Sequence, residues 1–311
     1  MRNKIIKHFK QGTLLKTQLK RFVVVVLFRI LRQYHLYNAL MYKLQFGFSK
    51  SIKNPETFSQ KIYYLRDRYK DKGLATKVSD KLAVRDYVNA SLGGVLNNLL
   101  YTTDDPHNID YDKLPDRFVI KTNHASGTNI IVKDKSLIDK DEVNLKLFQW
   151  LKMNYAVASG EMQYYNIKPQ ILIEEYLEDE GEEFLIDYKF WCFDGEVVFF
   201  YIKENYIDNN GDLKYNLFSF DCDFNKVDII TTYDGNYKQR KRPKSLNDMI
   251  HHSSQLSKGF PFVRVDFYEI DGTPIFGEMT LTPTAGNNYY LSQEAQVTLG
   301  EIMNLNLISK M

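Results

Sequence analysis

The stretch Phe262–Asn288, FVRVDFYEIDGTPIFGEMTLTPTAGNN, contains two runs of alternating side chains joined by Asp271-Gly272. Strict alternation predicts strands with one buried face, and in the first run Arg264 and Asp266 share the polar face. In the second run Glu278 also lies on the polar face. An Asp-Gly pair between two such runs is typical of a tight turn. The stretch therefore predicts an antiparallel hairpin that carries several charged groups on one face.

The register of this hairpin determines which charges meet. A three-residue loop with Ile270 opposite Pro274 predicts that Asp266 lies directly opposite Glu278, with Cβ atoms ~5 Å apart. Two carboxylates this close repel each other unless cations lie between them. Mg²⁺ takes one or two carboxylates plus phosphate oxygens, so the pair indicates a magnesium site, to which Arg264 adds positive charge. The pattern equally allows an exposed hairpin in which Arg264 forms ion pairs with both acids.

A second informative stretch is Phe118–Lys133, FVIKTNHASGTNIIVK, which predicts a strand, a loop of small residues and a second strand. Lys121 ends the first strand, and the loop Ser126-Gly127-Thr128 can direct backbone N–H groups at phosphates with a lysine beneath. The loop is neither GxxxxGK[ST] nor GxGxxG, and Ser126 lacks the GxSxG surroundings of a nucleophile. On its own the stretch is a weak signal, but together with the hairpin it indicates a phosphate site.

The rest of the chain alternates helical and strand patterns, which predicts the α+β class. The expected helices are 53–68, 79–89, 140–159 and 245–257. The expected strands are 171–177 and a hairpin over 187–202 with its turn at Asp194-Gly195. Residues 204–240 are polar and aromatic without a clear period, so no regular element is predicted there.

The composition excludes several classes of protein. With 311 residues, 44% apolar and 26% charged, the chain can bury one large core or two modest ones. No run approaches the ~18 apolar residues of a membrane span. The two cysteines allow no disulfide framework and no metal-ligand spacing, which predicts a reducing, cytoplasmic location.

The charge distribution sets the N-terminal segment apart. Residues 1–50 contain 11 Lys and Arg and no acid, whereas the remainder has 30 Lys and Arg against 39 Asp and Glu. This basic segment, with the apolar run Phe22–Phe28, predicts helices that either bind an anionic membrane surface peripherally or pack on the protein's own core. Arg29 and Arg32 follow the apolar run, which argues against a signal peptide.

In chain order, the segments SDKLAVRDYV, LPDRFVIKTNHASGTNIIV, ILIEEYL, DYKFWCFDG and the final hairpin resemble an ATP-grasp protein. The resemblance is closest to the TupA-like (teichuronopeptide-biosynthesis type) family that accompanies bacterial surface polysaccharide genes, and it covers roughly residues 53–305. It implies an ATP-grasp fold in which two α+β lobes clamp ATP. The implied segments are a basic helical N-terminus (1–52), a preceding region (53–114), lobe one (115–180) and lobe two (181–311).

The resemblance also implies a nucleotide site. Lys81 and Lys121 would contact the α- and β-phosphates, and the loop with Ser126 and Gly127 would close over the triphosphate. The residues implied to form the adenine-reading hinge are Glu174, Glu175, Tyr176 and Leu177. An acid beyond the hinge, Glu182 or Glu183, would hold the ribose.

The implied catalytic and metal residues lie in lobe two. Lys189 is expected to approach the γ-phosphate, and Arg264 to bind the transferring phosphoryl group or the tetrahedral intermediate. Asp266 and Glu278 would hold two Mg²⁺ ions. Many ATP-grasp ligases have Glu-x-Asn at the second metal, whereas this chain has Thr280 at that position. Asn287 is the residue expected to replace the missing amide.

The function implied is that of an ATP-dependent carboxylate–amine ligase that works through an acyl phosphate in capsule, O-antigen or teichuronopeptide biosynthesis. The expected partners are a small amine or amino acid and an acidic glycan or glycolipid acceptor, with no nucleic acid. Its expected product is an amide on a uronic acid or amino-acid substituent. The alternatives are a glycosyltransferase or kinase-like enzyme of the same biosynthesis and a non-catalytic nucleotide-binding scaffold at the membrane.

Overall fold

The structure, a computed structural model, describes residues 34–47, 49–179, 184–208, 210–230 and 240–311. Its α-helices are α1 (Tyr34–Phe46), α2 (Phe58–Arg66), α3 (Gly73–Ser79), α4 (Ala83–Ser91), α5 (Lys140–Leu151), α6 (Tyr155–Ser159), α7 (Leu246–Leu256) and α8 (Gln293–Ile302). Its strands are β1 (Leu99–Thr103), β2 (Phe118–Thr122), β3 (Asn129–Val132), β4 (Ile171–Glu175), β5 (Asp187–Phe193), β6 (Glu196–Ile207), β7 (Leu213–Phe220), β8 (Val263–Ile270) and β9 (Thr273–Thr280).

The strands form two antiparallel sheets, which agrees with the predicted α+β class. The small sheet has the order β1-β4-β2-β3 and the large sheet the order β7-β6-β5-β8-β9. The small sheet packs its apolar side chains, such as Phe118 and Ile173, against Leu147 of α5. The large sheet shares a much larger core with α2, α4, α7 and α8. The segment 53–114 contributes helices to the larger core and β1 to the small sheet.

Two predicted helices begin where side chains can cap them. Thr57 accepts a hydrogen bond from the backbone of Gln60, whose side chain bonds the Thr57 backbone in return, so α2 begins at Phe58 inside the range predicted. The helix predicted over residues 79–89 begins later in the structure, at Ala83 of α4, because Ser79 is the last residue of the preceding helix α3. The side chain of Asp80 accepts from Leu82 N and Ala83 N, so Asp80 separates the two helices.

The prediction of one helix over residues 140–159 was wrong. The structure has α5 and the short α6 instead, separated by Lys152 to Asn154. The Asn154 side chain accepts a hydrogen bond from Val157 N and caps α6. A side chain that bonds the nearby backbone competes with helix continuation, which explains the break.

The segment 204–240, for which no element was predicted, contains the end of β6 and all of β7. The first three residues of β7 are exposed and its last five are buried. The side chains of this strand therefore show no alternation in burial, and its pairing with β6 is set by the backbone. A search for period-two patterns cannot detect such a strand.

The turn of the β8–β9 hairpin is shorter than predicted. Asp271 and Gly272 have φ of 52° and 79°, as in a type I′ turn, and Ile270 pairs with Thr273. The predicted pairing of Ile270 with Pro274 was therefore wrong.

A bulge in β9 nevertheless produces the predicted pairing of Asp266 with Glu278. Phe267 pairs with Phe276, so the register shifts by one residue and Gly277 has no partner of its own on β8. A Cβ at Gly277 would lie 3.1 Å from the Asp266 carbonyl oxygen, which favours glycine at the bulge. The extra residue in the bulge compensates for the shorter turn.

Helix α1 packs on the core, as in one of the two interpretations of the N-terminal segment. Tyr37 and Tyr42 are buried, and Asn38 Nδ2 donates to Tyr63 O of α2 at 2.7 Å. The apolar run Phe22–Phe28 lies outside the described residues, so binding of an anionic membrane remains a prediction. In the described part of the chain, no helix is long and apolar enough to cross a membrane.

The contact between α8 and the start of α2 requires a glycine. A Cβ at Gly300 would lie 2.2 Å from Glu56 O and 2.9 Å from two backbone carbons of Thr57. We expect Gly300→Ala to push these helices apart and lower the free energy of unfolding by about 1–3 kcal/mol, measured by urea denaturation. The matched control is Gly73→Ala at the start of α3, where an added Cβ meets no atom within 4 Å. An equal effect of both substitutions would contradict the proposed contact.

Candidate active site

A cavity of about 330 Å³ lies between the two sheets and is lined by residues from both. Helices α3 and α4 and the loop between β2 and β3 complete its wall. Eight of the predicted site residues line it: Lys81, Lys121, Ser126, Gly127, Glu174, Lys189, Asp266 and Glu278. Predicted site residues that are far apart in the sequence therefore line the same cavity.

The other predicted hinge residues line an adjoining cavity of about 350 Å³. These are Glu175, Tyr176 and Leu177. The two cavities share five lining residues, namely Lys121, Asn129, Asp187, Lys203 and Tyr268, so they form one continuous cleft. The predicted ribose residues Glu182 and Glu183 lie outside the described residues.

Glu174 pairs with two cations at the cavity wall. Its Oε2 lies 2.6 Å from Lys121 Nζ and its Oε1 lies 3.0 Å from Arg85 Nη1. Lys121 and Glu174 are neighbours because β2 and β4 are paired strands of the small sheet. Glu174 thus neutralises the charge of Lys121.

The loop between β2 and β3 is anchored at its base. Lys81 Nζ donates to Ala125 O at 2.5 Å, and Asn123 Nδ2 donates to Asp80 Oδ1 at 3.0 Å. Burial lowers the pKa of Lys81, and the nearby charge of Lys121 lowers it further, while Glu278 opposes this. Gly127 has a φ of 74°, which glycine adopts readily. The loop therefore has a fixed base and a glycine at its tip.

Asp266 is the most enclosed acid of the cavity, since its side chain is only 3% exposed. Lys189 Nζ lies 2.6 Å from Asp266 Oδ2, and Arg264 contacts both carboxylate oxygens at 2.6 Å. Burial raises the pKa of Asp266, whereas the charges of Arg264 and Lys189 lower it. Two protein cations thus stabilise the carboxylate that was predicted to bind metal.

Glu278 differs from Asp266 because its side chain is 42% exposed. Arg264 Nη2 lies 3.0 Å from Glu278 Oε1, and Thr280 Oγ1 donates to the same oxygen at 3.2 Å. Burial alone would raise the pKa of Glu278, but Arg264, Lys189 and Lys81 lower this pKa to about 2. Arg264 bridges both acids, as the ion-pair alternative proposed, yet the hairpin is not an exposed one because its polar face lines the cavity.

The donor set fits Mg²⁺ bound together with phosphate. Among the described residues no three or more His, Cys, Asp or Glu side chains cluster as a metal cage. Asp266 and Glu278 offer the one or two carboxylates that Mg²⁺ takes when phosphate oxygens complete its shell. Asn287 does not line the cavity, and its Oδ1 accepts a hydrogen bond from Tyr63 OH at 3.2 Å. The structure thus does not bring Asn287 to the acid pair.

The sequence profile of the family described as TupA-like ATPgrasp matches residues 60–304, most of the chain. The chain belongs to the TupA-like ATP-grasp family. The predicted ATP-grasp fold, with two α+β lobes around the cleft, is confirmed. No curated protein sequence is significantly similar to this family member.

Solved structures with a related fold are distant from this TupA-like protein. The D-alanine–D-alanine ligase from Bacillus anthracis is 15% identical with a TM-score of 0.44, over 75% of this chain and 69% of that one. The L-amino acid ligase from Bacillus licheniformis is 14% identical with a TM-score of 0.46, over 73% of this chain and 50% of that one. Identities this low carry no information on the substrate.

Three residues of the TupA-like cleft were not predicted from the sequence. Arg85 pairs with Glu174, and Asp187 and Lys203 line both cavities. Asp187 stands two residues before Lys189 on β5, so strand alternation could have placed it on the same face. Arg85 carried no such local signal.

A buried network next to the phosphate loop was also missed. Glu161 is almost fully buried, and its Oε1 accepts a hydrogen bond from Thr282 Oγ1 at 2.5 Å. Tyr155 hydrogen-bonds both Glu161 and Ser126. Glu161 therefore connects the segment after β9 to the phosphate loop.

The network predicts a pH dependence of stability. Burial raises the pKa of Glu161 above its ordinary value of 4.5, despite the lowering effects of Thr282 and Arg66. An acid with a raised pKa in the folded state contributes stability below its unfolded pKa and loses it as the pH rises through the folded value. We expect Glu161→Gln to remove this part of the decline above pH ~4.5, measured by urea unfolding at several pH values. The exposed Glu294→Gln is the control, and parallel profiles for Glu161→Gln and wild type would contradict the assignment.

Proposed function

We propose that this TupA-like protein is an ATP-dependent ligase that joins a carboxylate to an amine through an acyl phosphate. The observation that carries the proposal is one cavity lined by Lys81, Lys121 and Lys189 and by Asp266 and Glu278, the two acids that Arg264 bridges. Phosphoryl transfer requires a protein mainly to position the reactants and to neutralise charge. This arrangement of cations and acids supports that task.

Two lysines of the cavity are paired with carboxylates in the structure. Glu174 holds Lys121, and Asp266 holds Lys189. Triphosphate oxygens would replace these carboxylates as partners of the lysines, which would release Asp266 for metal binding. When bound by Asp266 and Glu278, Mg²⁺ neutralises the phosphoryl oxygens.

The proposed reaction has two steps. A carboxylate oxygen of the acceptor attacks the γ-phosphorus of ATP, which forms an acyl phosphate and releases ADP. The amine nitrogen then attacks the acyl carbon, which forms the amide and releases phosphate and a proton. Arg264 lies beside Glu278 and would bind the transferring phosphoryl group, while the loop with Ser126 and Gly127 would exclude water.

We infer that the acceptor is an acidic glycan or an amino-acid substituent of one and that the second substrate is a small amine or amino acid. This inference rests on the sequence resemblance to proteins of surface polysaccharide gene clusters. The lysines that line the cavity are compatible with an acceptor that carries a carboxylate.

Nucleotide binding is tested by thermal stability. We expect saturating Mg²⁺·ATP to stabilise the protein by about 2.7 kcal/mol at a 100-fold excess over Kd. Lys121→Ala should lose most of this stabilisation, because its amine lines both cavities. Lys168→Ala, which removes a surface ion pair with Asp104, is the control and should keep it. Selective stabilisation by GTP, or none by any nucleotide, would show that the ATP site is misassigned.

Turnover is tested by measuring ADP release in mixtures of uronic-acid oligosaccharides and amino acids. Mass spectrometry then identifies condensation products, whose mass is the sum of the two substrates less one water. We expect Glu278→Gln to reduce ADP release at least ~100-fold while the protein still folds, since Glu278 is 42% exposed and Arg264 keeps Asp266 as a partner. Asp266→Asn should abolish release and also destabilise the fold by about 3–5 kcal/mol, because it leaves two buried cations without their carboxylate.

The matched control is Asp112→Asn, which removes an exposed ion pair with Lys140. ADP release that needs the carboxylate but no amine would indicate a kinase-like enzyme. Nucleotide binding without any release would indicate a scaffold. Near-native release by Glu278→Gln would contradict the proposed metal site.

A further inference from the structure

Two exposed tyrosines lie together at the edge of the large sheet. The side chain of Tyr215 on β7 is 50% exposed and that of Tyr289, after β9, is 73% exposed. The two hydroxyl-bearing rings interact through a hydrogen bond. Aromatic rings contribute a large contact area when buried, so this exposed pair offers a ligand a surface on which to pack.

A row of tyrosines connects this pair to the reaction centre. Arg264 Nη1 donates to Tyr201 OH at 3.5 Å, and the Tyr201 ring lies 6.4 Å from the Tyr290 ring. The Tyr290 ring in turn lies 5.8 Å from that of Tyr289. The row, defined as Tyr201, Tyr290, Tyr289 and Tyr215, therefore joins Arg264 to the protein surface through packed rings. Tyr201 and Tyr290 are buried, so only Tyr289 and Tyr215 are accessible to a ligand.

The strand register places Tyr215 on the same sheet face as the reaction centre. Lys189 pairs with Asp266 on one side and with Tyr201 on the other. Tyr201 and Asn205 are four residues apart on β6 and so share a face, and Asn205 pairs with Tyr215. An acceptor bound at Tyr215 would thus lie on the sheet face that carries Lys189, Asp266 and Tyr201.

A cation completes this surface. Lys203 Nζ lies 5.1 Å from the centroid of the Tyr215 ring, and Lys203 lines both cavities. Among the described residues Lys203 forms no ion pair, whereas Lys121 and Lys189 are held by carboxylates. An amine over an aromatic ring, at the mouth of an active site, is suited to a carboxylate that lies close to that ring.

We propose that Tyr215, Tyr289 and Lys203 form an acceptor subsite for a sugar residue of an acidic oligosaccharide. The proposal rests on the proposed ligase function, in which the reacting carboxylate lies at Arg264. The C–H face of a sugar ring packs on an aromatic ring, the tyrosine hydroxyls bond sugar hydroxyls, and Lys203 binds a second uronate carboxylate. The subsite would therefore select an oligosaccharide over a single uronic acid.

The test measures oligosaccharide binding to the full chain without nucleotide, by calorimetry. The probes are tetrasaccharides that contain glucuronate, galacturonate or mannuronate, the matching free uronic acids and a neutral tetrasaccharide. We expect at least one acidic tetrasaccharide to bind. Its affinity should be at least tenfold higher than that of the matching free uronic acid and that of the neutral tetrasaccharide. Tyr215→Ala and Tyr289→Ala should each weaken this binding at least tenfold, and Tyr289→Phe should weaken it less because the ring remains.

Tyr101→Ala is the matched control, because Tyr101 is a 39% exposed tyrosine on β1 of the other sheet. It should bind the tetrasaccharide like wild type. Lys203→Met should reduce the preference for the acidic over the neutral tetrasaccharide. Binding unchanged in both alanine variants, or no binding of any acidic tetrasaccharide by wild type, would overturn the subsite.

The same preparations are tested for stabilisation by Mg²⁺·ATP, which should be unchanged in the tyrosine variants. Stabilisation by ATP without tetrasaccharide binding would overturn the subsite while the nucleotide site stands. Tetrasaccharide binding without ATP stabilisation in wild type would overturn the proposed ligase function, and with it the role of the subsite as part of a ligase.

Discussion

The contact of buried Asp266 with Lys189 and Arg264 is the interaction around which the active cleft is built. Removing one partner from a buried ion pair leaves an uncompensated charge and costs several kcal/mol, so the three side chains must stay together. Adjacent strands achieve this, because Lys189 on β5 pairs directly with Asp266 on β8. Phe190 and Val265 alternate with these residues and lie in the core on the opposite face. The ionic group is therefore held by the same strands that form the large core.

The small sheet repeats this arrangement on the other side of the cleft. Lys121 and Glu174 come from paired strands and face the cavity, and Arg85 reaches Glu174 from α4. Each wall thus carries cations that are already neutralised by acids. In the proposed function, a triphosphate would exchange partners with these acids, which would limit the burial of unpaired charge. Lys203 lines this cleft and contacts Tyr215, so in the proposed subsite nucleotide and acceptor would share a sheet face.

The β8–β9 hairpin shows what a local sequence pattern can predict and what it cannot. Alternation identified the polar face with Arg264 and Asp266, since successive side chains of any strand point to opposite sides. The pairing of Asp266 with Glu278 was also predicted, but by a turn that is one residue too long. The bulge at Gly277 supplies the missing residue, and it depends on how β9 packs on its neighbour. The prediction that Asp266 pairs with Glu278 was therefore correct, but its stated cause, a three-residue turn, was wrong.

The sequence alone determined the α+β class, the approximate positions of α2, α4, α5 and α7, the small-residue loop between β2 and β3 and the acids of the hairpin, because caps, turns and side-chain alternation act over a few residues. The resemblance to a family added Lys81, Lys189 and the hinge. The tertiary structure alone decided the contacts of Arg85 with Glu174, of Glu161 with Thr282 and of Lys203 with Tyr215. Most of these contacts join residues far apart in the chain, and strand β7 shows no alternation in burial to mark it. Sheet pairing and helix packing bring such groups together, and no local pattern in the sequence encodes those distances.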